Sequence, residues 1–274
     1  MDDRLTKLER FKALHEAEGV FLIPNPWDAG SAKILNSLGF DALATTSAGY
    51  AFALGKTDSF EHLSRDGILK NAREIVNATP LPVSADLQNG FGDDPETCAH
   101  TIRLAVESGL VGGSVEDATG DDANPIYEMR HSVDRVCAAV EAANAAGFVL
   151  TARAENHLFG RDDLSDTIKR LQAYSEAGAH VLYAPGLPDI DAIRTVCREV
   201  DKPVNVVMGL KGPVYPVTEL AEAGVRRISI GGSFARAALG GLLRAAQEIK
   251  TSGTFTYASD AMSGPEIARI MSDG

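Results

Sequence analysis

Basic residues are outnumbered in this chain: 26 Lys and Arg stand against 38 Asp and Glu, a formal charge of −12. A nucleic-acid surface needs a basic stripe, and this balance argues against one. An anionic small molecule is not excluded, because one Arg or a bound cation overrides the global field locally. Cysteine is scarce too. Cys98, Cys137 and Cys197 form no CxxC pair and fall within helical patterns, so they read as small buried or half-buried hydrophobes of a reducing compartment. No apolar run approaches the length of a membrane span, and the charged start MDDRLTKLERF lacks the apolar core of a secretory signal. The expectation is a cytoplasmic protein with no membrane and no nucleic acid among its partners. Linkers, composition shifts and low-complexity segments are also missing, which leaves one domain over residues 1–274.

What the chain does have is a rhythm. Near-continuous apolar runs recur at 20–25, 42–47, 82–87, 112–118, 149–155, 180–185, 203–209 and 226–232. Such runs suit parallel strands covered on both faces. Between them lie amphipathic stretches such as DPETCAHTIRLAVESG and DLSDTIKRLQAYSEAG, several closed by a glycine at the helix C-terminus. Asp94 followed by Pro95 has the form of an N-cap with proline in the first turn. Eight strand–helix units in 274 residues fit a closed (β/α)8 TIM barrel better than a doubly wound sheet. A chain of this size buries a core large enough to fold without metal or disulfide. An extra helix over about 4–19 precedes the first strand, and a helical segment near 259–271 follows the eighth unit.

In such a barrel the chemistry gathers at the C-terminal ends of the strands. Those ends carry Ser47, Ala48 and Gly49 and then Asp58 after strand 2, Asp86 after strand 3, and Glu116 with Asp117 after strand 4. Strand 5 carries Arg153, Glu155 and His157, spaced two apart and so on one face if the strand runs that far. Asn205 lies on strand 7 and joins the candidate substrate-binding set. Hard oxygen donors on strand ends 2, 3 and 4 suit Mg²⁺ or Mn²⁺ with waters completing the shell. An Arg one strand further on can grip a carboxylate through two parallel hydrogen bonds. Metal plus Arg is a constellation for a 2-oxo acid.

Plainer roles compete for some of these residues. Asp58 opens the tetrad DSFE and has the form of a capping box for the second helix, a duty compatible with a metal role. Glu116 and Asp117 have the alternatives of a solvated strand end or a pairing with Arg153, and Arg153 that of a structural ion pair. Asp86 ends an otherwise apolar run, where an unpartnered acid is costly, and so reads as functional. The glycines after it, Gly90 and Gly92, are expected to let the loop pass close to a ligand. His157 is the one histidine near the expected barrel mouth; the other five read as structural.

Taken in order and at their spacings, TTSAG, PVSADLQNGFG, SVEDA, TARAE and RRISIGGSFARAAL resemble the isocitrate lyase/phosphoenolpyruvate mutase superfamily. The likeness spans about residues 5–250. It implies a (β/α)8 barrel whose last helix is exchanged between subunits, with 233–274 in subunit contacts of a homodimer or homotetramer. It implies Mg²⁺ (or Mn²⁺) and an enolate, used to form or break C–C or P–C bonds of 2-oxo acids or related acids. By position, Ser47, Ala48 and Gly49 match the segment that binds the substrate carboxylate and oxo group. Asp58, Asp86 and Glu116 match acids of the metal shell, with Asp86 nearest the ion, and Arg153 matches the substrate-carboxylate arginine. Gln88 stands where the pattern D-x-D-x-G-[YF]-G has its second Asp; its amide oxygen can still serve the metal, with one charge fewer.

Two further departures bear on the reaction. The lyases of the superfamily carry a basic K-[KR]-C-G-H loop after strand 4; here residues 119–136 hold neither Lys nor Cys. Strand 6 is followed by Pro185 where those lyases tend to have a glutamate. The least demanding chemistry is then C–C cleavage by an oxaloacetate-type decarboxylase or lyase, which needs an electron sink but no loop acid. P–C chemistry of the phosphonopyruvate hydrolase or phosphomutase kind is the alternative, with His157 or Asp58 as base. A barrel that binds a 2-oxo acid without turning it over is the third reading.

Overall fold

The computed structural model describes residues 3–272, so residues 1, 2, 273 and 274 of the expected domain lie outside it. Its strands are β1 (Phe21–Ile23), β2 (Leu43–Ala44), β3 (Val83–Asp86), β4 (Gly112–Glu116), β5 (Val149–Arg153), β6 (Val181–Tyr183), β7 (Val204–Val207) and β8 (Arg227–Ser229). Each lies inside one of the eight apolar runs. All pair in parallel, in the order β1-β8-β7-β6-β5-β4-β3-β2. The remaining seam is narrow: the Ala44 amide donates to the Pro24 carbonyl at 3.0 Å, and the Asn25 side chain donates to the Thr45 carbonyl at 2.9 Å. Proline at 24 and 26 limits any longer ladder, because proline brings no donor. The result is the (β/α)8 TIM barrel.

The helices are α1 (Asp3–Glu16), α2 (Ala29–Ser37), α3 (Ser47–Ala53), α4 (Arg65–Asn77), α5 (Pro95–Glu107), α6 (Met129–Ala146), α7 (Leu164–Glu176), α8 (Ile190–Glu199), α9 (Val217–Glu222), α10 (Ser233–Ser252) and α11 (Gly264–Ser272). The extra helix α1 seals the barrel's N-terminal end with Leu8 and Phe11, which pack against Ile23, Val111, Val149 and Val181. Asp94 caps α5 as its sequence indicates, its side chain accepting from the Glu96 amide at 2.9 Å. Asp58 does not cap the next helix. Residues 54–63 form turns instead, and Ser64 caps α4. Cys137 is exposed rather than buried, while Cys98 is buried and Cys197 half-buried.

The C-terminal segment folds back on its own chain. Ile270 of α11 is buried, and Lys33 of α2 donates to the Met271 carbonyl at 2.7 Å. Helix α10 differs: Ala235 is its one buried residue, while Phe234, Leu239, Leu242, Leu243 and Ile249 are exposed.

Candidate active site

The short strands end on one rim, and polar side chains collect there around Arg153. Asp86, the last residue of β3, is fixed on several sides. Its amide donates to Thr45 Oγ1 at 3.1 Å; its carboxylate accepts from the Ser47 amide at 3.2 Å and from the Gln88 amide at 3.3 Å. Arg153, at the end of β5, reaches across: Nη1 lies 3.4 Å from Asp86 Oδ1 and 3.0 Å from Glu116 Oε2, and Nε donates to Glu155 Oε1 at 2.7 Å. The guanidinium also stands 5.0 Å from the centre of the Tyr183 ring. Asp58 joins from the loop after α3, close enough to Asp86 for the two charges to oppose one another.

One guanidinium therefore faces four carboxyl groups, and their acidities record the imbalance. Burial pushes the Glu116 carboxyl well above the usual range; Arg153 opposes the shift, and Glu155 and Asp86 reinforce it. Burial likewise raises Glu155, against Arg153, and raises Asp58, with Asp86 adding to the effect. Positive charge is what this floor lacks. The Gln88 Oε1 atom is buried with no hydrogen-bond partner, an acceptor held ready at the same place. Among the described residues no three His, Cys, Asp or Glu side chains converge tightly enough to cage an ion directly. Asp58, Asp86, Glu116 and the Gln88 amide offer hard oxygen donors, the kind that Mg²⁺ takes together with several waters.

The loop that carries Gln88 is held under strain. Gln88 and Phe91 have φ of 48° and 64°, conformations uncommon outside glycine. Arg135 of α6 over-determines the path. Buried beneath the loop and stacked 4.4 Å from the centre of the Tyr127 ring, it donates to the carbonyls of Asn89, Gly92 and Asp93. Gly90 and Gly92 face α5. A Cβ on Gly90 would come within 2.9 Å of Cys98 Sγ, and one on Gly92 within 2.7 Å of Thr97, so both glycines serve close packing on α5.

A cavity of about 490 Å³ opens above this floor. Ser47, Ala48, Asp58, Asp86, Gln88, Glu116 and Arg153 all line it. Three expected residues do not. Gly49 is packed against Thr46 and Trp27, and its amide is taken by Thr46 Oγ1 at 3.2 Å. Asn205 lies below the floor, where its side chain donates to Ser229 Oγ at 3.1 Å and accepts from Arg227 Nε at 2.8 Å. His157 is turned away because β5 ends at Arg153 and a 3₁₀ turn, Asn156–Phe159, follows; the two-residue alternation fails there. Its Nδ1 lies 3.7 Å from Asp162 Oδ1 instead.

Glu155 is the acid that sequence reading noted on the face of Arg153 but gave no role. It stays inward after the strand has ended because its amide donates to Asp117 Oδ1 at 2.8 Å. Asp117 is itself fully engaged, accepting from Tyr174 Oη at 2.6 Å and from Arg170 Nη1 at 3.1 Å. Glu116 and Asp117 thus point to opposite sides of β4: one borders the cavity, the other anchors the frame. Tyr183, whose phenol burial holds neutral, completes the wall beside Arg153.

The family model described as phosphoenolpyruvate phosphomutase matches residues 11–250. The chain belongs to that family, within the isocitrate lyase/phosphoenolpyruvate mutase superfamily. This family member is 28% identical over 224 residues to 2-methylisocitrate lyase of Escherichia coli K12, covering 78% of this chain and 75% of that enzyme. A solved structure from Burkholderia cenocepacia J2315, provisionally assigned as a lyase/mutase, is 56% identical with a TM-score of 0.96, covering 98% of this chain and 96% of that one. The structure of 2,3-dimethylmalate lyase is 26% identical with a TM-score of 0.86, covering 97% and 94%. The superfamily includes lyases, mutases and hydrolases, so family membership makes the chain a relative of enzymes without fixing its reaction.

Proposed function

We propose that this protein is a Mg²⁺- or Mn²⁺-dependent enzyme that cleaves a C–C bond of a small 2-oxo acid or related carboxylic acid, as an oxaloacetate-type decarboxylase or lyase. The observation that carries the reading is the surplus of carboxyl groups around Arg153 beside the unpartnered Gln88 Oε1. Asp86 and Gln88 would hold the ion, with Asp58 and Glu116 acting through water. The ion when bound supplies positive charge where negative charge develops as the bond breaks. Arg153 binds and orients the substrate carboxylate, exchanging part of its grip on Glu116 and Asp86 for the ligand. Ser47 and Ala48 border the oxo group, and the neutral Tyr183 hydroxyl offers a donor beside it. The cavity is open, so solvent can return the proton to the product carbon without a loop acid. The two lyases named above support C–C chemistry by analogy.

Purified protein with Mg²⁺ or Mn²⁺ should release pyruvate from oxaloacetate or a homologous oxo acid from substituted malates, and a chelator should abolish the release. No product from any of these acids, with or without metal, would sink the proposal. P–C chemistry remains the second reading because the matching family model is a phosphomutase. With His157 outside the cavity it leaves Asp58 as the base, and phosphate release from phosphonopyruvate tests it. Tight 2-oxo-acid binding without product would instead favour a binding protein. We further assign the uncovered apolar side of α10 to subunit contacts in a homodimer or homotetramer, which sedimentation of the purified chain tests. The active barrel is assigned to the cytoplasm.

A further inference from the structure

Beneath the floor, inside the barrel, lies a second and smaller cavity of about 70 Å³. Ser84 of β3, Ser114 of β4, Asn205 of β7 and Arg227 and Ser229 of β8 give it a polar lining. Arg227 is only 5% exposed. Its guanidinium donates through Nε to Asn205 Oδ1 at 2.8 Å and through Nη2 to Thr151 Oγ1 at 2.9 Å, and Nη1 lies 3.3 Å from His15 Nε2. None of those partners carries negative charge, and a guanidinium has five N–H groups to place. Among the described residues no carboxylate forms an ion pair with Arg227; burial lowers its pKa to about 10, and no carboxylate opposes the shift. Asp86 borders the cavity as well, but both its oxygens are engaged, by the Ser47 and Gln88 amides and by Arg153. A buried cation without a counter-charge is costly. The hydroxyls around it are donors in waiting. Ser84 and Ser114 give theirs to no acceptor among the described residues, and Ser229 Oγ, which accepts from Asn205 Nδ2 at 3.1 Å, keeps its own hydrogen.

We propose that this inner cavity is an anion site, in which a small inorganic monoanion, chloride or one of like size, lies against Arg227 and accepts hydrogen bonds from Ser84, Ser114 and Ser229. Water in the same place satisfies the hydroxyls but leaves the charge of Arg227 unanswered. The space suits a monatomic ion with a water or two and is too small for the ligand of the larger cavity above. The barrel is then layered by charge: an acid-rich floor, and below it a layer that takes an anion.

An ion bound only by the folded chain stabilises it by mass action. In thermal unfolding at constant ionic strength, with potassium chloride replacing potassium gluconate, the melting temperature should rise and then saturate, and bromide should act alike. Ser114→Ala keeps the guanidinium but removes one donor, and should raise the half-saturating chloride concentration by about tenfold. Arg227→Met should abolish the dependence. If that variant does not fold, Ser114→Ala and a crystal grown in bromide decide the matter, since anomalous scattering should place the ion between Arg227 and Ser114. Equal melting temperatures in chloride and gluconate would overturn the proposal, leaving a cavity filled by water alone. So would a chloride effect untouched by Ser114→Ala, or bromide found only elsewhere.

Discussion

His15 provides a quantitative test of how α1 seals the barrel. Its ring is enclosed between Phe11 and Phe21, with centroids 4.7 and 5.0 Å away. Nδ1 is 2.8 Å from the Phe11 carbonyl and Nε2 is 3.3 Å from Arg227 Nη1. The consistent tautomer is neutral: Nδ1–H donates to the carbonyl and Nε2 accepts from the guanidinium. Burial, seconded by the charge of Arg227, lowers its pKa from 6.5 to about 3. The folded chain therefore stays neutral at His15 while the unfolded chain takes up a proton below about pH 6.5. More protons bind to the unfolded state, so this contribution to stability is complete above pH 6.5 and is lost as pH falls toward 3. At pH 5, one and a half units below the unfolded value, the loss is about 2 kcal/mol. Urea unfolding followed through Trp27 fluorescence at pH 7.5 and 5.0 measures it in the parent and in His15→Gln. The glutamine amide donates and accepts without titrating, and all other titrating groups are common to both proteins. The parent should lose about 2 kcal/mol more than the variant between the two pH values. Equal losses would refute the neutral buried imidazole.

Three predictions concern the floor. Asp86→Asn should cut Mg²⁺ affinity and metal-dependent product formation by about a hundredfold, read by calorimetry and steady-state assay. Gln88→Asp should raise Mg²⁺ affinity by about tenfold. In chelator the same variant should melt at a lower temperature than the parent, because one more carboxylate crowds the site. Arg135→Met leaves the carbonyls of Asn89, Gly92 and Asp93 without their donor and should cost about 2–4 kcal/mol in urea unfolding, with weaker Mg²⁺ binding as the loop relaxes.

The barrel could be read in advance because each strand is a compact apolar run that parallel pairing between two helical layers demands. Asp86, Glu116 and Arg153 followed from their places at strand ends. The misreadings arose where backbone course, not residue type, decides the outcome. His157 keeps the alternation of β5 on paper, but the strand stops four residues earlier. Asp58 has the letters of a capping box, yet the helix begins only after Ser64. Asn205 lies on β7 as expected, but one layer below the cavity, where it serves Arg227. The apolar lining above the floor, Leu158 and Phe159 after β5, Leu187 after β6 and Met208 and Leu210 after β7, comes from three separate stretches of chain, so no local pattern announces it.

The adjacent acids at the end of β4 have a consequence for how this site can change. Asp117 spends both oxygens on the Glu155 amide, Tyr174 and Arg170, outside the cavity. Its replacement displaces the backbone that aims Glu155 and, two residues back, Arg153. The Glu116 carboxylate holds no such backbone group; its replacement alters the charge of the floor and frees one side of the Arg153 guanidinium. Position 116 can therefore change the charge of the cavity floor with the backbone unmoved, whereas a change at position 117 shifts the segment that aims Arg153.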